Sequence, residues 1–418
     1  MSKRILSLLI ALVMMVGVAV MATSCVTDKP DTPAGSGTGT GDEAKIPADF
    51  KLGVILLHDE NSTYDLNFMN GVFAAKEALG LSDAQVIMKK NIPESNDCYE
   101  AALDLIDEGC DVIFANSFGH ESHILKAAKE NPNVQFCHAT GTMAHTENLA
   151  NFHNAFASIY EGRYLAGVAA GLKLNAMIAA GDITAEEAVI GYVGAFPYAE
   201  VKSGYTSFYL GAKSVCPSAT MKVQFTGSWY DENADKNAAN ALMTDNCVLI
   251  SQHADSMGAP SACEEKGVPN VSYNGSTAEH CPDTFIVSSR IDWAPYFKYI
   301  CEAAAKGEAI ATDWTGTIAT GSVVLTDLGP NAPADGTAAM LEEVKTALQN
   351  GTLHVFDTAN FTVGGETLSS YLADVNTDAQ YEKDTEVIEN GVFYESKHRS
   401  APYFDIDIDG ITIINSEA

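Results

Sequence analysis

Positive charge is scarce in this chain: 24 lysines and arginines face 55 aspartates and glutamates, a formal net charge of −31 over 418 residues. So acidic a surface repels phosphate backbones and anionic lipid, which excludes nucleic acid as a partner. Catalytic signatures are also missing. There is no G-x-S-x-G elbow, no H-E-x-x-H and no G-x-x-x-x-G-K-[ST]. His120-Glu121-Ser122-His123 approaches the zinc-protease pattern, but its second histidine comes one residue early. His138, His145 and His153 are spaced by seven and eight, which suits no standard zinc pattern. They read as turn or surface histidines. None of the nine cysteines forms a C-x-x-C pair, which excludes a zinc ribbon and a thioredoxin-like motif. Asp405, Asp407, Asp409 and Gly410 open like an EF-hand loop, but its twelfth position is Ser416, and Glu417 falls one place late. That stretch reads as a terminal strand with solvated aspartates. No metal, no cofactor and no enzyme activity are expected.

What is present begins at the N-terminus. Lys3 and Arg4 precede an apolar run from Ile5 to Met21, then Ala22-Thr23-Ser24-Cys25. This is the layout of a secretory signal peptide, and the run is shorter than the ~20 apolar residues of a spanning helix. The cysteine after small residues fits a lipobox. The expectation is therefore a lipoprotein signal peptide over 1–24, with Cys25 lipidated on the extracytoplasmic face of the cell membrane. Residues 25–48 are rich in glycine, proline and threonine and read as a flexible tether. Gly35, Gly37, Gly39 and Gly41 lack the flanking strand and helix of a phosphate loop.

The remaining chain alternates short apolar runs with amphipathic segments. Strands are expected at 51–57, 84–89, 111–115 and 134–138, with helices at 68–79, 98–108 and 121–130. A long helix at 161–174 opens a second block, with strands at 189–193, 221–225, 248–252, 270–273 and 284–288. The helices between them fall at 202–213, 233–244 and 261–266. Such a rhythm implies α/β architecture, mostly parallel sheets flanked by helices. Two similar blocks imply two lobes: 49–157 and 158–289, with 290–418 holding crossovers and C-terminal segments that complete both.

In open α/β sheets, ligands bind beyond the carboxyl ends of the strands. The residues there are aromatic and polar: Tyr64 in a loop after the first strand, Phe118 and His120 after the third, and Phe196 and Trp229 in the second block. His253, Asp255, Asn274, Asp292 and Trp293 follow its later strands. Aromatic faces sandwich a flat ring, while carboxyls and amides hold its polar edge.

These residues lie in blocks that resemble the basic membrane protein (BMP) family of ABC-transporter substrate-binding lipoproteins, which includes purine nucleoside receptors. The matching blocks include FANSFGHESHILKAAKENPNVQFCHATG (114–141), IYEGRYLAGVAAGL (159–172), IGYVGAFPYAEVKSGYTSFYLGAKSVCP (190–217) and TGSWYDENADKNAANALM (226–243). The resemblance implies a two-lobed type I periplasmic-binding-protein fold that closes on a purine nucleobase or nucleoside, a monomer, and an ABC permease as partner. It implies that Tyr64, Phe118, Phe196, Trp229 and Trp293 line the cleft and that Asp255 and Asn274 bond the ligand's edge. Ser62 stands where this branch often has tryptophan, and Ile291 where another aromatic is common. Two other activities fit the same layout. One is a ligand sensor for a membrane receptor. The other is a surface nucleoside hydrolase using Asp231, Asp255 or Asp292, against which the missing nucleophile-plus-base signature argues.

Overall fold

The computed structural model describes residues 46–376 and 382–415. The signal peptide, Cys25, all but the end of the tether, Ser416 and Glu417 lie outside them. The first sheet takes β1 (Leu52–Ile55), β2 (Val86–Lys89), β3 (Val112–Ala115), β4 (Gln135–Ala139) and β5 (Phe152–Ala157). Its helices are α1 (Thr63–Leu79), α2 (Asn96–Asp107), α3 (Glu121–Glu130) and the short α4 (Ala144–Glu147). β1 and β3 are buried along their whole length, as strands covered on both faces must be.

Helix α5 (Ile159–Ala180) leads into the second sheet, which takes β6 (Val189–Gly194), β7 (Thr220–Phe225), β8 (Leu249–His253), β9 (Asn270–Tyr273) and β10 (Phe285–Ile291). Between them run α6 (Ala199–Val215), α7 (Glu232–Thr244) and α8 (Gly258–Lys266). The chain then returns: α9 (Ala294–Lys306) packs on α1, and β11 (Asp313–Gly316) joins the first sheet beside β5. It crosses again to β12 (Val323–Leu325), antiparallel to β10. The first sheet has the order β11-β5-β4-β3-β1-β2, and the second β12-β10-β9-β8-β6-β7-β17. Three crossings between two mostly parallel sheets make this a two-lobed type I periplasmic-binding-protein fold.

Three departures from the sequence reading have clear causes. Helix α1 starts at Thr63, not Phe68, because Ser62 caps it by accepting from Asp65 N at 3.2 Å, an arrangement that stabilises a helix by about 1 kcal/mol. The cap puts Tyr64 in a helical turn, not a loop. Strand β5 was not foreseen because His153 and Asn154 break its apolar run. Both are buried and bonded: His153 Nε2 lies 2.9 Å from Gln135 Oε1, and Asn154 Nδ2 donates to Glu121 Oε1 at 2.9 Å. His138 is likewise a buried strand residue, its Nε2 2.6 Å from Ser117 O, so the surface reading of His138 and His153 is corrected. Burial pushes the His153 ring down to about 4 and lowers that of His138, which keeps both neutral.

Beside the second sheet, α5 packs on α6, and glycine makes the close approach possible. A Cβ on Gly211 of α6 would fall 2.0 Å from the Tyr164 carbonyl oxygen, and one on Gly167 of α5 2.0 Å from that of Phe208.

Beyond α10 (Thr337–Gln349) the chain forms two small hairpins, β13 (Leu372–Ala373) with β14 (Thr385–Glu386) and β15 (Ile388–Glu389) with β16 (Val392–Phe393). It then forms β17 (Ile411–Asn415), parallel to β7. Residues 405–409 precede this strand and are not part of it, a correction to the expected span. Their carboxylates are also engaged. Asp405 pairs with Lys383 at 2.6 Å, and Asp407 with Lys202 at 2.8 Å. Asp409 accepts from Gly365 N at 2.8 Å. This extension touches both lobes. Ser400 donates from N and Oγ to Asp313 Oδ1 of β11 at 2.8 and 2.7 Å, while β17 closes the edge of the second sheet. Within it, Glu395 is 1% exposed, and its Oε2 has no partner among the described residues. No helix among the described residues is long and apolar enough to cross a membrane.

Candidate functional site

A cavity lies where the carboxyl ends of the two sheets face each other. Its first-lobe wall is Leu57 after β1, Tyr64 on α1, Ser117 and Phe118 after β3, and Thr140 after β4. Its second-lobe wall is Glu200 on α6, Trp229 after β7, His253 and Asp255 at and after β8, and Tyr273 at the end of β9. Direct bonds hold the lobes together at its rim. Thr63 N and Oγ1 both donate to Asp255 O at 3.1 Å, and Asn67 Nδ2 donates to Ile291 O at 2.8 Å. His58 and Tyr230 bring their rings to 5.4 Å.

One side is aromatic. Phe196 stacks on Tyr198 at 5.1 Å and meets Trp229 edge-on at 5.2 Å. Phe118 approaches Tyr198 from the other lobe at 5.6 Å. Phe118 and Tyr198 are 42% and 44% exposed, so large apolar faces stand at the cavity mouth. Thr140 has φ +64°, a strained conformation for a β-branched residue that costs roughly 1–3 kcal/mol and clusters at binding sites.

The polar side is acidic. Burial, reinforced by Asp65, Glu200 and Asp235, pushes the Asp255 carboxyl well above the ordinary range, although Asn274 Nδ2 donates to its Oδ1 at 3.3 Å. A neutral carboxyl of this kind can donate as well as accept. Burial lowers the His253 ring, with Glu200 opposing, so the imidazole is neutral. Burial also raises the Tyr64 and Tyr273 phenols, and Tyr64 donates to Asn116 O at 2.6 Å.

Among the described residues, no lysine or arginine lines this space. Arg163, fully buried, lies near the Tyr273 ring and is engaged elsewhere. It donates to Tyr192 Oη at 2.9 Å and Ser251 Oγ at 3.0 Å. Its guanidinium lies 5.0 Å from the ring of Tyr273.

Of the residues expected from sequence, Tyr64, Phe118, Trp229, His253 and Asp255 line the cavity; Phe196 and Asn274 support it from behind. Three do not reach it. His120 is buried with Nε2 2.9 Å from Ile92 O, its pKa pushed down to about 4 by burial. Asp292 accepts from Ala294 N at 3.0 Å, capping the turn into α9. Trp293 is 1% exposed and stacked on Phe68 at 4.4 Å, a core residue of the first lobe. Asp231 also has structural work, capping α7 through Asn233 N and Ala234 N. The reading missed Leu57, Ser117, Thr140, Glu200 and Tyr273. Tyr273 carried a usable signal, since it ends β9 directly before Asn274. Among the described residues, no group of three His, Cys, Asp or Glu side chains is placed to hold a metal ion.

Residues 56–353 match the model of the Bmp family, described as ABC transporter substrate-binding protein PnrA-like. The chain belongs to this family. A relative in Haloferax volcanii, named "Putative ABC transporter glucose-binding protein TsgA13", is 34% identical over 237 residues, 56% of this chain and 57% of its own length. This chain therefore spans little more than half of that relative. The purine-binding protein BAB2_0673 of Brucella abortus is 30% identical over 286 residues, 67% of this chain and 75% of its own. Among solved structures, an ABC transporter solute-binding protein of Aeropyrum pernix K1 has a TM-score of 0.61 at 16% identity. The superposition covers 72% of this chain and 92% of that one. It shares the fold.

Proposed function

We propose that this protein is an extracytoplasmic solute-binding lipoprotein of an ABC importer, anchored through Cys25, monomeric, and selective for a purine nucleobase or nucleoside. The observation that carries the reading is the cavity itself. Both lobes contribute side chains to it, so a ligand there bridges them and favours the closed form, which the permease recognises. The aromatic wall of Phe118, Tyr198 and Trp229 suits a flat ring. Asp255, held by Asn274, suits its polar edge. The purine-binding relative supports the same class. Nothing is done to the solute: no nucleophile is paired with a base at the cavity, and Asp231 and Asp292 are taken up in caps.

The test is to denature the purified protein and identify released small molecules by mass spectrometry, then to titrate adenine, guanine, adenosine and glucose calorimetrically. Purine binding without turnover is expected. Trp229→Ala should weaken it by about 1–3 kcal/mol, the usual loss when a base loses its aromatic partner. Binding of glucose alone would replace the purine class with a sugar, and hydrolysis of adenosine would replace binding with catalysis.

A further inference from the structure

Two carboxyl groups face the cavity, and they differ in what they already hold. Asp255 is engaged on several sides: Asn274 donates to its side chain, Thr63 to its carbonyl, and its own N–H donates to Trp229 O at 2.9 Å. Glu200 has far less. It lies in the first turn of α6, where the helix dipole favours negative charge, and its side chain is only 14% exposed. Its near polar partner among the described residues is His253, with Nε2 3.5 Å from Glu200 Oε1, longer than an ordinary hydrogen bond.

His253 is equally short of partners. It is 2% exposed, and neither ring nitrogen makes a hydrogen bond. Gly204 of α6 closes against its Nδ1, where a Cβ would fall 2.6 Å away. The ring packs on Tyr273 at 4.5 Å. An imidazole nitrogen and a carboxylate thus line the same space with a long contact to each other. Burying an imidazole nitrogen without a hydrogen bond is costly, and a ligand that offers a matching group relieves that cost. Arg163, whose guanidinium lies 5.0 Å from the Tyr273 ring, is occupied by the neutral oxygens of Tyr192, Ser251 and Gln252.

We propose that Glu200 is the specificity-determining residue of the cavity: its carboxylate accepts hydrogen bonds from the N–H edge of a nitrogen heterocycle that stacks on the aromatic wall, and it turns away ligands that carry phosphate. The proposal rests on the purine reading and deepens it. Stacking and hydrophobic burial alone do not separate a base or nucleoside from its 5′-phosphate, whereas an uncompensated carboxylate beside an acidic neighbour does. It also ranks ligands by N–H donors, so 6-aminopurines bind better than purine itself, which lacks the exocyclic amine.

The experiment compares the wild-type protein with Glu200→Gln and Glu200→Asp by calorimetric titration of adenine, purine and adenosine 5′-monophosphate, with ligand-free melting curves for each. Expected are adenine bound more tightly than purine by the wild type, no measurable monophosphate binding, and a loss of about 10- to 100-fold in adenine affinity in Glu200→Gln, the range for a hydrogen bond to a charged group. Glu200→Asp should retain part of that affinity, and the monophosphate should gain on adenine in Glu200→Gln. If Glu200→Gln melts like wild type and binds adenine equally well, Glu200 does not select the ligand, while the purine reading stands. If the wild type binds none of the purines, both fall together.

Discussion

Glu395 should make the protein lose stability as pH rises from about 5 to about 8, against the usual direction for a carboxylate. The group is buried in the C-terminal extension, and burial pushes its pKa from an ordinary 4.5 up to about 8. A hydrogen bond to Ser203 pulls the other way, and the negative charges of Glu200 and Glu161 push further up. The folded protein therefore keeps the proton in a window where the unfolded chain has released it. Stability falls with pH wherever the folded state binds more protons, so the loss begins near 4.5 and is complete above about 8. A tenfold change in proton affinity corresponds to about 1.4 kcal/mol, which puts the full loss from this residue at about 4–5 kcal/mol. Glu161, raised to about 7 by burial against a hydrogen bond from Ile318 N, acts in the same direction. Glu395→Gln keeps the shape of the protonated acid and removes the titration. Guanidinium melts at pH 5, 6.5 and 8.5 should find the variant within about 1 kcal/mol of wild type at pH 5 and about 3 kcal/mol or more stabler at pH 8.5. Parallel pH profiles for the two proteins would refute the reasoning, because they would mean that Glu395 is hydrated or paired when the protein is folded.

Two further outcomes follow from packing. Gly→Ala in a helix interior ordinarily stabilises by about 1 kcal/mol, but Gly211→Ala should destabilise by about 3 kcal/mol, because its Cβ meets the Tyr164 carbonyl where α5 and α6 touch; a thermal midpoint at or above wild type would contradict that contact. The eight cysteines from Cys98 to Cys301 are all buried and unpaired, and burial pushes the thiols of Cys98 and Cys247 up to about 12. Dithiothreitol should therefore leave the melting midpoint unchanged, and a thiol reagent should react at the rate of unfolding; a midpoint lowered by several degrees would reveal a disulfide.

The parallel-sheet framework was legible because fully buried strands announce themselves as apolar runs, as in Val112–Ala115. β5 was not, since its polar members earn no place in a hydrophobic pattern and are buried only because Gln135, Glu121 and Ala144 supply partners. The site was half legible for a similar reason. Strand ends located Phe118, Trp229 and Asp255, but proximity in sequence cannot say which way a side chain turns. Trp293 follows β10 as a ligand-stacking residue would, yet it turns into the first lobe onto Phe68. Glu200 lies two residues past an obvious aromatic pair and looks like any solvated glutamate in a helix's first turn. Only the fold brings His253 to it.

The extension beyond residue 353 lies outside the stretch that matches the family, yet it supplies β17, the strand that covers β7. The consequence concerns the order of folding. Sheet partners of β7 come from residues 189–194 on one side and from 411–415, more than two hundred positions later, on the other. A growing chain can therefore assemble both lobes while the outer edge of β7, with the buried Met221 and Val223 along it, still offers unpaired amides. Such an edge is a template for another strand, and partly folded chains meet each other through edges of this kind. Until those late residues dock, each new molecule is exposed to pairing with its neighbours.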